Sequence, residues 1–143
     1  MPIRCEIVSQ DRIVYQGDVD IVTLPGADGE MGILPNHSPL LTTLQFGIIT
    51  VRAGRMTEHF TVAGGVAEVQ PDQVTILADA AENVAEIDLQ RAESARRNAE
   101  EKLTQKGSLD VDAYLAIQAS LRKSNLRLEA VRRYRRTKSQ SRD

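Results

Sequence analysis

The chain has 143 residues, enough for one well-formed core or for a small domain with an appendage. It contains no Trp, two Phe and three Tyr, so the core must be built mainly from aliphatic residues, which argues against an aromatic platform for stacking single-stranded nucleic acid. The formal net charge of -2 hides an asymmetry: residues 1–85 carry 4 basic and 11 acidic side chains, whereas residues 86–143 carry 14 and 9, so the two parts suit different partners.

Short strand-like runs open the chain at 3–8, 12–16, 19–24, 48–52, 56–63, 66–69 and 74–78. Alternation is clearest in Ile3, Cys5 and Ile7, with Arg4 and Glu6 facing the other way. Turn chemistry separates the runs: Gly17 with Asp18, the glycines between 26 and 29, Ala53-Gly54, Gly64-Gly65 and Pro71-Asp72. That spacing predicts an all-β sandwich over 1–84. Within it, Gly29 and Gly32 are expected to adopt backbone angles closed to other residues. Pro35 and Pro39 exclude a regular central strand, which leaves a tight turn presenting Glu30 and then an irregular edge or bulged strand.

After Asp79 glycine and proline disappear and the apolar period lengthens, which predicts helix from near Ile87. Ala92, Ala95, Ala99 and Leu103 form a narrow face of a first helix ended by Gly107, with Ser108 or Asp110 as the next N-cap. A second helix from Val111 to Arg136 carries the stripe Tyr114, Ile117, Leu121, Ser124, Leu128 and Val131. Small residues opposite larger ones predict an antiparallel two-helix hairpin over 86–137, followed by a basic flexible tail over 138–143. The fold class is therefore α+β, an N-terminal antiparallel β sandwich followed by that hairpin. The seam buries little apolar area, so docked and extended states of the hairpin should be close in free energy.

Cys5 is the only cysteine, which rules out an intrachain disulfide and a multi-cysteine zinc site and fits a cytosolic compartment. No apolar run has membrane-spanning length, and the chain opens on a strand-like pattern rather than a basic region followed by an apolar one. Membrane association is thus expected only through a partner. His37 and His59 have no ligand-spaced carboxylates, so no metal is expected. There is no nucleophile elbow, phosphate-binding glycine loop or paired-carboxylate cleft, and the chain alone is expected not to be an enzyme.

Three segments carry a family resemblance. The run Gly29-Glu30-Met31-Gly32-Ile33-Leu34-Pro35-Asn36-His37-Ser38-Pro39-Leu40-Leu41 resembles the G-E-[LM]-G-I-L-P-x-H-x-P-L-[LV] signature of the ATP synthase epsilon subunits. The stretch from Val62 through Gly64-Gly65 and Pro71-Asp72 to Ala78 is similar to that family's second conserved segment, and Ile87-Asp88-Leu89-Gln90-Arg91-Ala92 to its [IL]-D-x-x-R-A helix opening. Asp110-Val111-Asp112 precedes the last helix, so the resemblance covers nearly the whole chain in order.

The resemblance implies a non-catalytic rotor subunit of the central stalk that couples ion flow through the membrane ring to ATP synthesis in the head. Its partners would be the gamma subunit, the c-ring and the alpha and beta catalytic subunits, without nucleic acid. Its place would be the cytoplasmic face of the cell membrane, held peripherally by the complex. Glu30, Met31 and His37 would lie at the c-ring and gamma interface. Extended into the head, the hairpin would act as a brake on hydrolysis through Arg122, Lys123, Arg127, Arg132 and Arg133. No tightly bound cofactor is implied, but ATP is a candidate regulatory ligand, with Glu82, Ile87, Asp88, Arg91, Ala92, Arg122 and Arg127 as its site. Two departures weaken that pattern: Asn98 stands where ATP-binding members have an arginine, and the arginine one turn beyond Arg122 is displaced to Arg127. A shift of one position turns a helical side chain by about 100°.

Two other classes compete. A sandwich-based nucleic-acid binder with a basic helical arm would show salt-dependent binding to DNA and no affinity for gamma. A nucleotide sensor without a stalk role would likewise fail to bind gamma. The acidic first half and the missing aromatic platform count against the former.

Overall fold

The computed structural model describes residues 2–105 and 110–135. The chain divides into two compact units, Met1–Ala85 and Glu86–Asp143. The first contains β1 (Ile3–Val8), β2 (Ile13–Val19), β3 (Ile21–Gly26), β4 (Gly29–Ile33), β5 (Leu40–Ala53), β6 (Met56–Val69), β7 (Gln73–Ala78) and β8 (Ala81–Asn83). Its strand order is β2-β1-β7-β6-β5-β3-β4, with β8 also paired to β6. The two 14-residue strands β5 and β6 pair from Leu40 opposite Val69 to Ala53 opposite Met56, and each serves two layers. Residues 65–69 of β6 pair with β7, whereas residues 60–62 pair with β8. Ile3, Cys5, Ile7, Val22, Leu24, Ile33, Ile49, Phe60, Val62 and Ile76 are fully buried between the layers. The alternation read in Ile3, Cys5 and Ile7 is thus the inward face of β1.

Several expectations are corrected. The sheet is mixed rather than antiparallel, because β1 runs parallel to β7 from Arg4 opposite Gln73 to Val8 opposite Leu77. That pair is joined by no hairpin; it forms because both strands bury one alternating face, and the intervening strands supply the crossover a parallel pair needs. Gly64-Gly65 does not break the chain. β6 continues through it, with φ of 88° and 136°, and there exchanges β8 for β7. Leu40–Ala53 is one strand, although its first half carried no strand expectation. Pro35 and Pro39 lie in the connection 34–39, outside any strand, so neither withholds a ladder donor. Of the two signature glycines only Gly29 has positive φ, 132°; Gly32 does not.

Burial pushes the Cys5 thiol up to about 12, with the Glu6 carboxylate adding to the shift and Arg4 opposing it. The thiol stays protonated at neutral pH and is no nucleophile there.

The second unit contains α1 (Leu89–Thr104) and α2 (Val111–Ala130), and α2 runs on into one π-helical turn, Val131–Arg135. Asp88 caps α1: its Oδ1 accepts from the Arg91 backbone N–H at 3.1 Å. Asp110 caps α2 in the same way through Ala113 N–H at 2.7 Å. Ala92 and Ala99 pack in the seam with Ser124, Leu128 and Val131, and the buried Ser124 hydroxyl is satisfied by the Ser120 carbonyl at 3.0 Å. Arg135 donates to the Ile87 carbonyl, which ties the end of the π turn to the start of α1 and makes the pair antiparallel. Tyr114 departs from the expected stripe: it is exposed, and its hydroxyl accepts from Gln118 Nε2 at 2.9 Å. Gly107, Ser108, Arg136 and the expected tail 138–143 lie outside the described residues.

Candidate functional site

In the first unit the signature run forms β4 and the connection after it. Gly26 opposes Gly29 across a two-residue turn, Ala27-Asp28, and the positive φ of Gly29 lets the chain reverse there. The turn is anchored on β5: Ala27 N–H donates to the Thr43 carbonyl at 3.0 Å, and the Ala27 carbonyl accepts from Gln45 Nε2 at 2.6 Å. Glu30 follows, opposite Pro25 on this edge strand, with an exposed carboxylate. Met31 faces inward and packs half-buried on the core. His37 lies beyond the far end of β4, so the strand separates it from Glu30 by on the order of 10 Å or more. Asn36 takes the left-handed conformation with φ of 68°, and its N–H donates to the Pro71 carbonyl at 2.8 Å. His37 Nδ1 lies 2.7 Å from the Ser38 carbonyl, which can only accept, so the proton sits on Nδ1 and Nε2 is left as an acceptor in the neutral ring. Among the described residues no three His, Cys, Asp or Glu side chains could hold a metal ion.

In the second unit an open groove of about 630 Å3 runs along one flank of the helix seam, lined by Asp88, Gln90, Arg91, Ser94, Ala95, Asn98 and Arg127. It brings together three of the expected nucleotide residues, Asp88, Arg91 and Arg127. Two guanidinium groups against one capped carboxylate give it a net positive rim suited to a phosphate. The displaced Arg127 therefore still reaches the groove, and Asn98 lines it where an arginine was absent. Ile87 and Ala92 are buried at 3% and 0% exposure and present no side chain to it. Arg122 is exposed and outside the lining, and Glu82 belongs to β8 of the other unit, opposite Thr61. Gln90, Ser94 and Ala95 are lining positions that sequence reasoning missed; they follow Asp88 and Arg91 at helical spacing, a signal that was available.

Of the five cations expected to meet the head, Arg122 and Lys123 are exposed on α2, and Arg127 is half-buried. Arg132 and Arg133 stand exposed in the π turn, Arg133 with its guanidinium 5.3 Å from the Tyr134 ring centre.

Family models divide the chain much as its two units do. Residues 2–84 match the β-sandwich domain of the ATP synthase delta/epsilon chain, and residues 85–132 match its long α-helix domain. The ATP synthase epsilon chain of Halalkalibacterium halodurans is 41% identical over 131 residues, 92% of this chain and 98% of that one. This chain belongs to the ATP synthase epsilon chain family. The Acidithiobacillus ferridurans epsilon chain is 43% identical over 135 residues, 94% of each chain.

Among solved structures, one chain of the Euglena gracilis mitochondrial ATP synthase, in an assembly of OSCP, F1 and c-ring, superposes with a TM-score of 0.73 at 26% identity. It covers 90% of this chain and 80% of its own. A chain from the central stalk and c-ring of the Tetrahymena thermophila mitochondrial enzyme shares the fold, with a TM-score of 0.55 at 15% identity over 92% of this chain and 97% of its own. The run Gly29 to Leu41, which resembles the epsilon signature, forms β4, the connection after it and the first two residues of β5, and the run that resembles the helix opening holds the Asp88 cap and Arg91. No described helix is long and apolar enough to cross a membrane.

Proposed function

We propose that the chain is a non-catalytic rotor subunit in the central stalk of an F-type ATP synthase. It joins gamma to the c-ring and couples ion flow to ATP synthesis in the alpha and beta subunits. The observation that carries this reading is full-length similarity to epsilon chains across both units. The sandwich is the stalk-binding part: Glu30, exposed on the edge strand beside the β5-anchored turn, meets the polar loops of the c-ring, and His37 and its neighbours meet gamma. Attachment to the cytoplasmic face of the membrane is through the complex alone. Purified full-length chain mixed with gamma should elute as one complex in size-exclusion chromatography. Separate elution, with DNA binding in its place, would overturn the assignment in favour of the nucleic-acid class.

The hairpin is the regulatory part, a brake that extends into the head and is released when folded. The groove holding Asp88, Arg91 and Arg127 supports ATP as the ligand that favours the folded state. With two arginines rather than a larger set, binding should be weak, about −4 kcal/mol or a Kd near millimolar. Arg91→Ala and Arg127→Ala should each weaken it by about tenfold, the loss of one charge-assisted contact. Arg122→Ala, outside the groove, should have a smaller effect. Calorimetry of the full chain at millimolar ATP is the measurement, and no heat of binding there would remove ATP from the mechanism.

A further inference from the structure

The hairpin has a second groove, on the other flank of the seam. At about 100° per residue, Leu89, Glu93 and Arg96 fall on one side of the line through Ala92 and Ala99, and Asp88, Arg91, Ala95 and Asn98 on the other. The second groove is lined by the former set together with Leu128 and the π turn, and holds about 490 Å3, a volume typical of sites for small organic ligands.

Its composition is specific. Leu128 and Val131 form a buried apolar floor, and Leu89 extends it at 41% exposure. Around the floor stand Arg96, Arg132 and Arg135, with the carboxylate of Glu93 in the lining and that of Glu100 beside Arg96. Arg96 Nε is shut off from water and has no hydrogen-bond acceptor; Glu100 Oε1 forms an ion pair with it at 3.9 Å, beyond hydrogen-bond reach. An anion entering the groove would meet the exposed part of the Arg96 side chain, which is 40% accessible, rather than its buried Nε. Arg135 gives the Ile87 carbonyl one donor and keeps the remainder of its fork. Arg132 stands in the π turn, a geometry that recurs at functional sites. Three cations against the carboxylates of Glu93 and Glu100 leave the groove net positive, and the forked donors of three guanidinium groups suit the several oxygens of a phosphate better than the two of a carboxylate.

We propose that this groove binds a small, soluble phosphate monoester carrying an apolar group. The phosphate oxygens bridge Arg96 and Arg132, and the apolar group lies on Leu89 and Leu128. The site is distinct from the Asp88–Arg91–Arg127 groove and does not depend on the ATP reading.

Hexyl phosphate titrated into the full chain by calorimetry tests it, with inorganic phosphate, hexanol and phosphatidic acid vesicles as comparisons. The expected result is saturable one-to-one binding about tenfold or more tighter than that of inorganic phosphate, as burial of a few methylenes requires. Arg96→Gln and Arg132→Gln should each weaken it about tenfold. Leu89→Ser should weaken hexyl phosphate but not inorganic phosphate, and Arg91→Gln, in the other groove, should leave the tighter, Arg132-dependent binding of hexyl phosphate in place. Arg132 is exposed, so its variant keeps the test valid should Arg96→Gln disturb the helix pair by circular dichroism. Absence of saturation by about 10 mM, equal affinity for inorganic phosphate, or indifference to Arg132→Gln would overturn the proposal. So would binding to the vesicles without binding to hexyl phosphate, which would make the groove a membrane-facing patch.

Discussion

Gly65→Ala is expected to unfold the sandwich unit, or to lower its stability by more than about 3 kcal/mol, because the new methyl meets main chain rather than a yielding side chain. A Cβ at Gly65 would stand 2.9 Å from Ala78 Cα and closer still to the Leu77 carbonyl oxygen, on a residue whose φ is 136°. Those atoms belong to β7, which pairs with β6 at this point, and Gly65 is also opposite Leu44 of β5. Relief therefore requires three strands to separate where β6 changes partner. Two neighbouring glycines grade the effect. At Gly64, with φ of 88°, a Cβ would meet Asp79 Oδ2 at 2.8 Å, the movable end of a side chain, so the cost is mainly the backbone term. At Gly54, with φ of 61° and nothing within 4 Å, alanine should cost about 1 kcal/mol, the ordinary left-handed penalty. Urea titrations followed by circular dichroism should rank the variants Gly54, Gly64 and Gly65 in increasing damage. If Gly65→Ala proves as mild as Gly54→Ala, the close approach of β6 to β7 is not what this glycine serves.

The same glycine shows what the sequence could and could not convey. The pair Gly64-Gly65 declares that the backbone must take angles closed to other residues, and a turn and a mid-strand change of partner both satisfy that demand. Only the nonlocal partners Ala78 and Ala81 distinguish them. The parallel β1–β7 ladder was hidden for the same reason, since nothing local in Ile3–Val8 names the strand beside it. The residues after Pro39 alternate in burial from Leu40 to Leu44, yet the doublets Leu40-Leu41 and Thr42-Thr43 break the apolar–polar alternation that signals a strand, and the nearby prolines weaken it further. A helix cap was legible at Asp110, offered with Ser108 as the alternative, because a cap is a contact made within three residues; the Asp88 cap carried the same local signal and was not expected. In the candidate nucleotide groove, Asp88 and Arg91 were readable by helical spacing. Arg127 depended on how two helices pack, and a shift of one residue that argued against it on paper still leaves it in the lining.

Deleting residues 86–143 is expected to raise ATP hydrolysis by the assembled complex while leaving assembly intact. This unit carries 14 of the 18 basic residues, far more than solubility requires, and nine of them fall after Leu121. On α2 and its π turn, Arg122, Lys123, Arg132 and Arg133 are exposed and Arg127 is half-buried, which suits contacts with an acidic partner surface along a rod. The 20 residues of α2 reach roughly 30 Å at 1.5 Å per residue, a length compatible with entry into the head. Exposed ion pairs contribute about 0.2–1 kcal/mol each, so five together should favour the inhibited state by at least about 1 kcal/mol, or roughly fivefold in its population. Neutralising Arg122, Lys123, Arg127, Arg132 and Arg133 together should therefore reproduce much of the increase caused by the deletion. Added salt should release the exposed part of the contact in the unaltered complex and have little effect after neutralisation. Hydrolysis has to be measured in intact complexes freed of inhibitory ADP, with gamma retained by the truncated chain as the check on assembly. An unchanged rate after both the deletion and the fivefold neutralisation would leave the hairpin a structural appendage with no part in regulation.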